Sequence, residues 1–173
     1  APCWLRSKIT RSLAEQFPER VAGLILVASS MRPDSQQQKE HKLAAIRLNS
    51  KEKFRGLSSM SILKTLHPLN ADHKVLVKRI QEMGRKLGYD VFVKQSMLNR
   101  DVYDMGKIKC PTLIISGAQD QVRSAEEATE LHKQILNAHL ETIEHTGHMI
   151  PIEQPKILAS LIFNWLKVQN LKS

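Results

Sequence analysis

The sequence predicts an α/β protein built on a parallel sheet, and three observations support that prediction. Two short and almost continuous apolar runs, residues 21–27 and 111–116, suit strands that are buried on both faces. A third run, residues 139–144, alternates apolar and polar side chains as a half-buried strand does. Helical patterns lie before, between and after these runs. Strands that alternate with helices along a chain imply parallel pairing through right-handed crossovers.

The first predicted helix precedes the first strand. Residues 5–17 carry Ile9, Leu13 and Phe17 at intervals of four, which predicts an apolar stripe along one side of a helix. Pro18 ends this helix, because the residue before a proline avoids helical geometry.

Two further helices each follow one of the later strands. Residues 124–136 begin at Ser124, and Glu127 three positions on fits a capping box. Residues 155–168 begin with Pro155, a residue suited to the first position of a helix. The apolar face of this last helix consists of Leu158, Leu161, Ile162, Trp165 and Leu166.

The middle of the chain has a different character. Residues 31–109 are rich in Lys, Gln and Ser, show helical periodicity without a strong strand, and predict three to five short helices. Residues 31–110 carry 17 Lys or Arg and 8 Asp or Glu, whereas the rest of the chain carries nine of each, so the middle holds the whole net charge of +9. We therefore predict a separate helical unit inserted between two parts of a core, residues 1–30 and 110–173. Its clearest helix has an apolar stripe that Gly88 ends, made of Leu76, Val77, Ile80, Met83 and Leu87.

Composition excludes several classes of protein. With 42% hydrophobic and 25% charged residues, the chain has the profile of a soluble globular protein. No apolar run approaches the roughly 18 residues of a membrane span. Aromatic residues make up 5% of the chain and no nucleic-acid-binding motif is present, so we expect no nucleic-acid partner. Two cysteines, Cys3 and Cys110, are too few for a disulfide framework, and we expect Cys110 to be a buried thiol. The absence of an apolar signal segment favours a cytoplasmic location.

Polar side chains follow two of the predicted strands, at the point where each strand ends. Asp120 lies in the loop 116–122, and His148 lies in the loop 144–151. Ligands of open α/β sheets bind just beyond the carboxyl ends of the strands, so we expect these two side chains to meet there. A carboxylate beside a histidine fixes the tautomer of the imidazole and stabilises the imidazolium ion.

The order of these features resembles the C-terminal part of an α/β-hydrolase. Residues 111–155 are similar to the end of that fold: a strand, a Gly-x-x-Asp turn, a helix, a strand, and Gly-His followed by E-x-P at the last helix. Residues 17–26 resemble the stretch that links the nucleophile helix to strand six, and residues 31–109 resemble the helical cap of bacterial members. The resemblance covers nearly the whole chain from about Leu13 onward. It implies strands six to eight with flanking helices and an inserted helical cap.

The same resemblance implies the roles of two residues and the absence of a third. Asp120 corresponds to the acid of the catalytic triad and His148 to its base, 28 residues further on. The nucleophile of the family is the serine of a Gly-x-Ser-x-Gly turn. Here Trp4 occupies the position of that serine, and residues 2–6 contain neither a serine nor a glycine. Cys3 and Ser7 lie nearby, one position before and three positions after Trp4, and neither is suitably placed, so no nucleophile is recognisable.

The first five strands of the family have no counterpart in the sequence. We therefore interpret the chain as a gene fragment, a frameshifted product or a deliberately truncated chain, inactive as it stands. The resemblance implies an esterase-like serine hydrolase that acts on a small-molecule ester or thioester and needs no cofactor.

An alternative hypothesis is a non-catalytic remnant or interaction protein. Its basic cap would bind an acidic partner such as an acyl carrier protein, since the sequence is also similar in outline to the pimeloyl-carrier-protein methyl esterases. The opposing interpretation is that the Lys and Arg side chains only solvate the helix faces.

The histidines also raise the question of a metal site. His145 and His148 have the spacing His-x-x-His, but Gly147 and the end of a strand argue against a helical pair of ligands. No cluster of cysteines or carboxylates completes a site, so we expect no metal. The other histidines are predicted to be exposed: His41, His67, His73, His132 and His139.

Overall fold

The structure is a computed structural model, which describes residues 3–98 and 104–170, with side chains from residue 9 onward. Its described part contains the predicted parallel sheet of three strands, in the order β1 (Leu24–Val27), β2 (Thr112–Gly117) and β3 (Ala138–Ile143). The register aligns Leu24 with Thr112, and Thr112 with Ala138. All three strands therefore end at the same edge of the sheet. β1 begins at Leu24, later than the predicted run.

The described residues contain eight α-helices. The last of them coincides with the predicted helix, and Gly88 ends the fourth with a φ of 79°. A short helix directly after the loop that carries His148 was not predicted. None of the helices in this part of the chain is long and apolar enough to cross a membrane. The helices are α1 (Cys3–Gln16), α2 (Gln36–Arg47), α3 (Ser59–Leu63), α4 (Lys74–Leu87), α5 (Tyr89–Ser96), α6 (Ala125–Gln134), α7 (Ile150–Glu153) and α8 (Pro155–Val168).

One face of the sheet packs against α1 and α6. Leu24 and Ile114 point to this side and lie in one buried cluster with Ala14 of α1 and Leu131 of α6. Cys110 belongs to the same cluster, as its predicted burial requires. Burial raises the pKa of the Cys110 thiol, so the thiol stays protonated and unreactive at neutral pH.

The other face packs against α8. Leu113 and Ile115 point to this side and pack with Trp165, and the remaining predicted apolar residues of α8 surround them. Every residue of β2 is buried, because helices cover both faces of this central strand. The continuous apolar run in the sequence is the direct consequence of that double burial.

The apolar stripe predicted for α1 does not face the core. Ile9, Leu13 and Phe17 are 59%, 44% and 42% exposed, whereas Ala14 is buried against the sheet. Arg11 also faces inward, and its guanidinium donates a hydrogen bond of 2.8 Å to the backbone carbonyl of Ser30. The small side chain of Ala14 lets the helix approach the sheet closely. Spacing in the sequence identifies a stripe on a helix, but not what the stripe contacts.

The cap, as we call residues 31–109, supplies α2 to α5. Ile62 and Leu66 are buried with Ile80 of α4, which confirms part of the stripe predicted for that helix. Met83 and Leu87 of the same stripe are exposed, because the packing partner α3 is only five residues long. A second apolar contact in the cap stacks the rings of Phe54 and Phe92, with centroids 5.0 Å apart, beside Tyr89.

Glycine at position 117 allows the end of β2 to touch the loop that follows β3. A β-carbon at this position would lie 2.5 Å from the carbonyl oxygen of Thr146 and would also overlap that of Gly147. The two loops that carry Asp120 and His148 are therefore in backbone contact.

We expect Gly117→Ala to lower the free energy of unfolding by about 1–3 kcal/mol, because backbone atoms have to move to admit the methyl group. Urea denaturation of the purified chain measures the change. Gly106→Ala is the matched control, since its β-carbon would approach only the side chain of Asp104, at 3.2 Å. Equal losses in the two variants would contradict this account of the packing.

Candidate functional site

Asp120 lies in the loop that follows β2, and its carboxylate is held by the backbone of the same loop. Its Oδ1 accepts hydrogen bonds from the amides of Val122 and Arg123, both at 2.8 Å. The side chain is 0% exposed. These two bonds satisfy one oxygen and direct the other towards the loop that follows β3.

The structure brings His148 to that second oxygen. Nδ1 of His148 lies 2.8 Å from Oδ2 of Asp120, and the histidine side chain is 17% exposed. Because an ionised carboxylate only accepts, Nδ1 carries the shared proton. A neutral His148 therefore has a free lone pair on Nε2, which makes that nitrogen the basic atom of the pair.

Hydrogen bonds between the two loops fix their relative position. The amide of Gln119 donates to the carbonyl of Thr146 at 3.0 Å, and the amide of Thr146 donates to Oε1 of Gln119 at 3.1 Å. The amide of His148 in turn donates to the carbonyl of Thr65 in the cap at 2.8 Å. The backbone of the histidine is thus tied to both the core and the cap.

The basic nitrogen of His148 has no hydrogen-bond partner among the side chains that the structure describes. The residues discussed for the nucleophile, Cys3, Trp4 and Ser7, lie in α1 with their side chains outside that description, and Pro2 lies outside the described residues altogether. The atom that Nε2 would activate is therefore not located among the described side chains.

Two of the five histidines that were predicted to be exposed, His67 and His132, are not exposed. His67 was predicted to be exposed, but it is 7% exposed, and its ring meets that of His145 edge to face at 5.7 Å. His67 precedes Pro68, and its Nδ1 accepts the amide of Leu69 at 3.1 Å, which caps a short 3-10 helix. Of the other four, His132 is half-buried, and the exposed ones are His41, His73 and His139.

Within residues 3–98 and 104–170, no three His, Cys, Asp or Glu side chains form a group that could hold a metal ion.

A buried ion pair, which no pattern in the sequence indicated, connects the cap to the loop of Asp120. The guanidinium of Arg123 lies 3.6 Å from Oδ1 of Asp34 and 3.2 Å from Oε2 of Glu127. Lys42 of α2 also pairs with Asp34. The amide of Arg123 donates to Asp120 and its guanidinium contacts Asp34, so Arg123 alone links this cap residue to Asp120.

A second, exposed ion pair lies beside this cluster. Arg32 forms a hydrogen bond with Glu130, which lowers the pKa of the Glu130 carboxyl and raises the pKa of the Arg32 guanidinium. Arg32 also lies 3.9 Å from Glu127, so the exposed pair continues the contacts between the start of the cap and α6.

A hydrogen bond between an acid and a histidine at the ends of adjacent parallel strands is an arrangement found in α/β-hydrolases. Comparison with known proteins agrees with that class. The family model described as "Serine hydrolase (FSH1)" matches residues 8–159, so the chain belongs to this serine hydrolase family.

Individual relatives show the same fold over most of the chain. A thermophilic esterase from Thermogutta terrifontis superposes with a TM-score of 0.82 at 23% identity, over 96% of this chain and 63% of the esterase. An α/β hydrolase from a Medee basin deep-sea metagenome library gives a TM-score of 0.74 at 22% identity, over 93% of this chain and 62% of that one. These likenesses confirm the predicted α/β-hydrolase fold.

A curated relative is closer in sequence over a shorter stretch. Human monoacylglycerol lipase ABHD6 is 39% identical over 82 residues, which are 47% of this chain and 24% of the lipase. The match thus spans about a quarter of the length of that relative.

Asp120→Ala should lower the free energy of unfolding by about 2–4 kcal/mol, because one buried and one partly buried amide lose their acceptor. Asp120→Asn keeps an oxygen in place for both amides and should cost much less. Urea denaturation of the two variants provides the comparison. The assignment of Oδ1 as the anchor of the loop is wrong if the two losses are the same.

Proposed function

We propose that this chain supplies the acid and the base of a serine hydrolase triad, with Asp120 as the acid and His148 as the base. The observation that carries the proposal is the 2.8 Å hydrogen bond between Nδ1 of His148 and Oδ2 of Asp120. It supports the assignment because it leaves Nε2 unprotonated at the edge of the sheet where ligands of α/β folds bind.

In the proposed reaction, Nε2 of His148 takes the proton of a serine hydroxyl while the serine oxygen attacks the carbonyl carbon of an ester. The imidazolium then gives this proton to the leaving alcohol as the carbon–oxygen bond breaks, and an acyl-enzyme remains. Water attacks the acyl-enzyme with the same histidine as base and releases the acid. Asp120 stays ionised throughout and stabilises the imidazolium, and the reaction needs no cofactor.

The substrate class we propose is a small carboxylic ester or thioester. Two relatives support this class by their names, an esterase that shares the fold and a monoacylglycerol lipase that shares a stretch of sequence. The identity of the acyl group and the alcohol would depend on pocket walls that the cap contributes.

The proposal requires a nucleophile within reach of Nε2, and this requirement gives the first test. Labelling with a serine-directed fluorophosphonate, followed by mass spectrometry, identifies any reactive serine of this chain. Translation of the DNA immediately upstream in three frames identifies a Gly-x-Ser-x-Gly segment, which is the result we expect. A chain that is not labelled, with no such segment in any frame, would contradict the enzyme proposal and favour a non-catalytic role.

Substitution of the two site residues gives the second test, in the polypeptide that contains the nucleophile. Asp120→Asn should lower kcat for a p-nitrophenyl ester by roughly 10⁴-fold, because it favours the wrong tautomer of His148. His148→Ala should lower kcat at least as much. His139→Ala is the matched control, since this histidine is 61% exposed at the surface of β3. Unchanged kcat in the Asp120 and His148 variants would overturn the assignment.

A second candidate function is binding of an acidic protein by the cap. The observation that favours it is the exposed face of α4, which carries five basic side chains and Glu82 as its one acidic side chain. None of the five forms a salt bridge within the described part of the chain. A carboxylate-rich surface such as that of an acyl carrier protein would be attracted to it. The basic residues are Lys74, Lys78, Arg79, Arg85 and Lys86.

Binding of an acyl carrier protein should weaken several-fold when salt is raised from 50 to 500 mM, because salt screens exposed charges. The double variant Lys78→Glu, Arg85→Glu should weaken binding at low salt, whereas Lys133→Glu on α6 should not. Isothermal titration calorimetry measures each affinity. Affinity that is independent of salt would exclude this function.

A further inference from the structure

Glu153 lies where the cap meets the loop of His148. Its Oε1 accepts hydrogen bonds from the amide of His67 at 2.7 Å and from Nδ2 of Asn70 at 2.9 Å. Its Oε2 accepts from the amide of Gly147 at 2.9 Å. One carboxylate therefore binds two donors from the cap and one donor directly beside His148.

The backbones of the two segments are also in direct contact. The carbonyl of Thr65 accepts hydrogen bonds from the amides of His148 and Met149, at 2.8 and 3.2 Å. A β-carbon at Gly147 would lie 2.6 Å from the carbonyl carbon of Leu66 and 2.7 Å from the amide nitrogen of His67. Residues 65–70, which we call the anchor segment, therefore cannot shift without moving the loop of His148.

Apolar packing joins the same two segments. Leu66 is fully buried beside Ile62 of α3, and Met149 and Ile152 from beyond the loop of His148 pack against them. The anchor segment and residues 147–153 thus form one packed unit, even though one belongs to the cap and the other follows β3.

Asp120 is held in a different way from His148. Its carboxylate is fixed by amides of its own loop, and the ion pairs of Arg123 reach a different part of the cap, at Asp34. The two loops are joined at Gln119 and Thr146, which precedes His148 in the chain, so a displacement of the anchor segment would act on His148 beyond that joint and change its hydrogen bond to Asp120.

We propose that Glu153 is a positioning residue, which couples the anchor segment of the cap to His148 and so sets the geometry of the His148–Asp120 hydrogen bond. This inference rests on the proposed function for its catalytic meaning, but the coupling itself is a property of the fold. A substrate that displaces the anchor segment would then change the position of His148.

The test compares Glu153→Gln with Glu144→Gln, an exposed carboxylate near the end of β3 whose side chain makes no hydrogen bond among the described residues. Glutamine at position 153 places an NH₂ group against one set of N–H donors. Amide hydrogen exchange should become about tenfold faster at either His67 or Gly147, whichever amide faces the NH₂ group, which corresponds to the loss of one hydrogen bond. The NMR signal of the Nδ1 proton of His148 should shift or broaden. Glu144→Gln should change neither.

Asn70→Ala tests the coupling from the side of the cap. It removes one donor to Glu153 and touches nothing in the loop of His148. If Glu153 transmits the position of the anchor segment, this variant also shifts the Nδ1 proton signal of His148. A signal identical to that of the unmodified chain in both Asn70→Ala and Glu153→Gln, with native circular dichroism, would overturn the proposal.

Amide hydrogen exchange and the Nδ1 proton signal are both measured without turnover. Failure of the proposed function can therefore be distinguished from failure of the proposed coupling. Absence of ester hydrolysis in the polypeptide that contains the nucleophile, together with an altered Nδ1 signal, would reject the enzyme and retain the coupling. In an active enzyme, Glu153→Gln should lower kcat at least tenfold and leave KM within about twofold, because the base is displaced while the pocket is not.

Discussion

Two glycines allow three segments of backbone to lie closer together than any other residue would permit. Gly117 at the end of β2 contacts Thr146 and Gly147, and Gly147 in turn contacts the cap at Leu66 and His67. This close stacking of β2, the loop after β3 and the cap is the constraint on which the site depends. It brings the loop of Asp120 within hydrogen-bonding distance of the loop of His148, and it leaves the carbonyl of Thr65 beside the amide of His148. A β-carbon at either glycine would separate these segments.

Elements that are buried on both faces, or that carry their own end signals, could be predicted from the sequence. β2 is a continuous apolar run because helices cover both of its faces, and α8 starts at Pro155 and presents one apolar side to the sheet. The orientation of α1 could not be predicted. The spacing of Ile9, Leu13 and Phe17 does not show that this side of the helix is exposed while Arg11 is buried, because that depends on which elements pack against α1.

The same distinction applies to the site. Asp120 and His148 were identifiable because each directly follows a strand, and the ends of parallel strands meet at one edge. The contacts of His67, Arg123 and Glu153 were not predicted, although Glu153 is the glutamate of the E-x-P pattern. Their partners Glu153, Asp34 and Asn70 lie 86, 89 and 83 positions away in the sequence. His67 did have a local signal, a histidine before a proline at the start of a 3-10 helix, which indicates a capping residue. The long-range contacts depend on how the cap folds back over the sheet, and short-range sequence patterns contain no information about that path.

The exposed stripe of α1 also determines how the molecules behave towards one another in solution. Ile9, Leu13 and Phe17 form an apolar strip on the surface, while the chain carries a net charge of +9. Mutual repulsion between such cations keeps the strips of neighbouring molecules apart. Dissolved ions shorten the range of that repulsion to about 8 Å at physiological ionic strength, which is comparable to the reach of a side chain. We therefore expect concentrated chains to stay apart in dilute buffer at a pH well below the isoelectric point, and to cluster through α1 in a crowded, salt-rich medium.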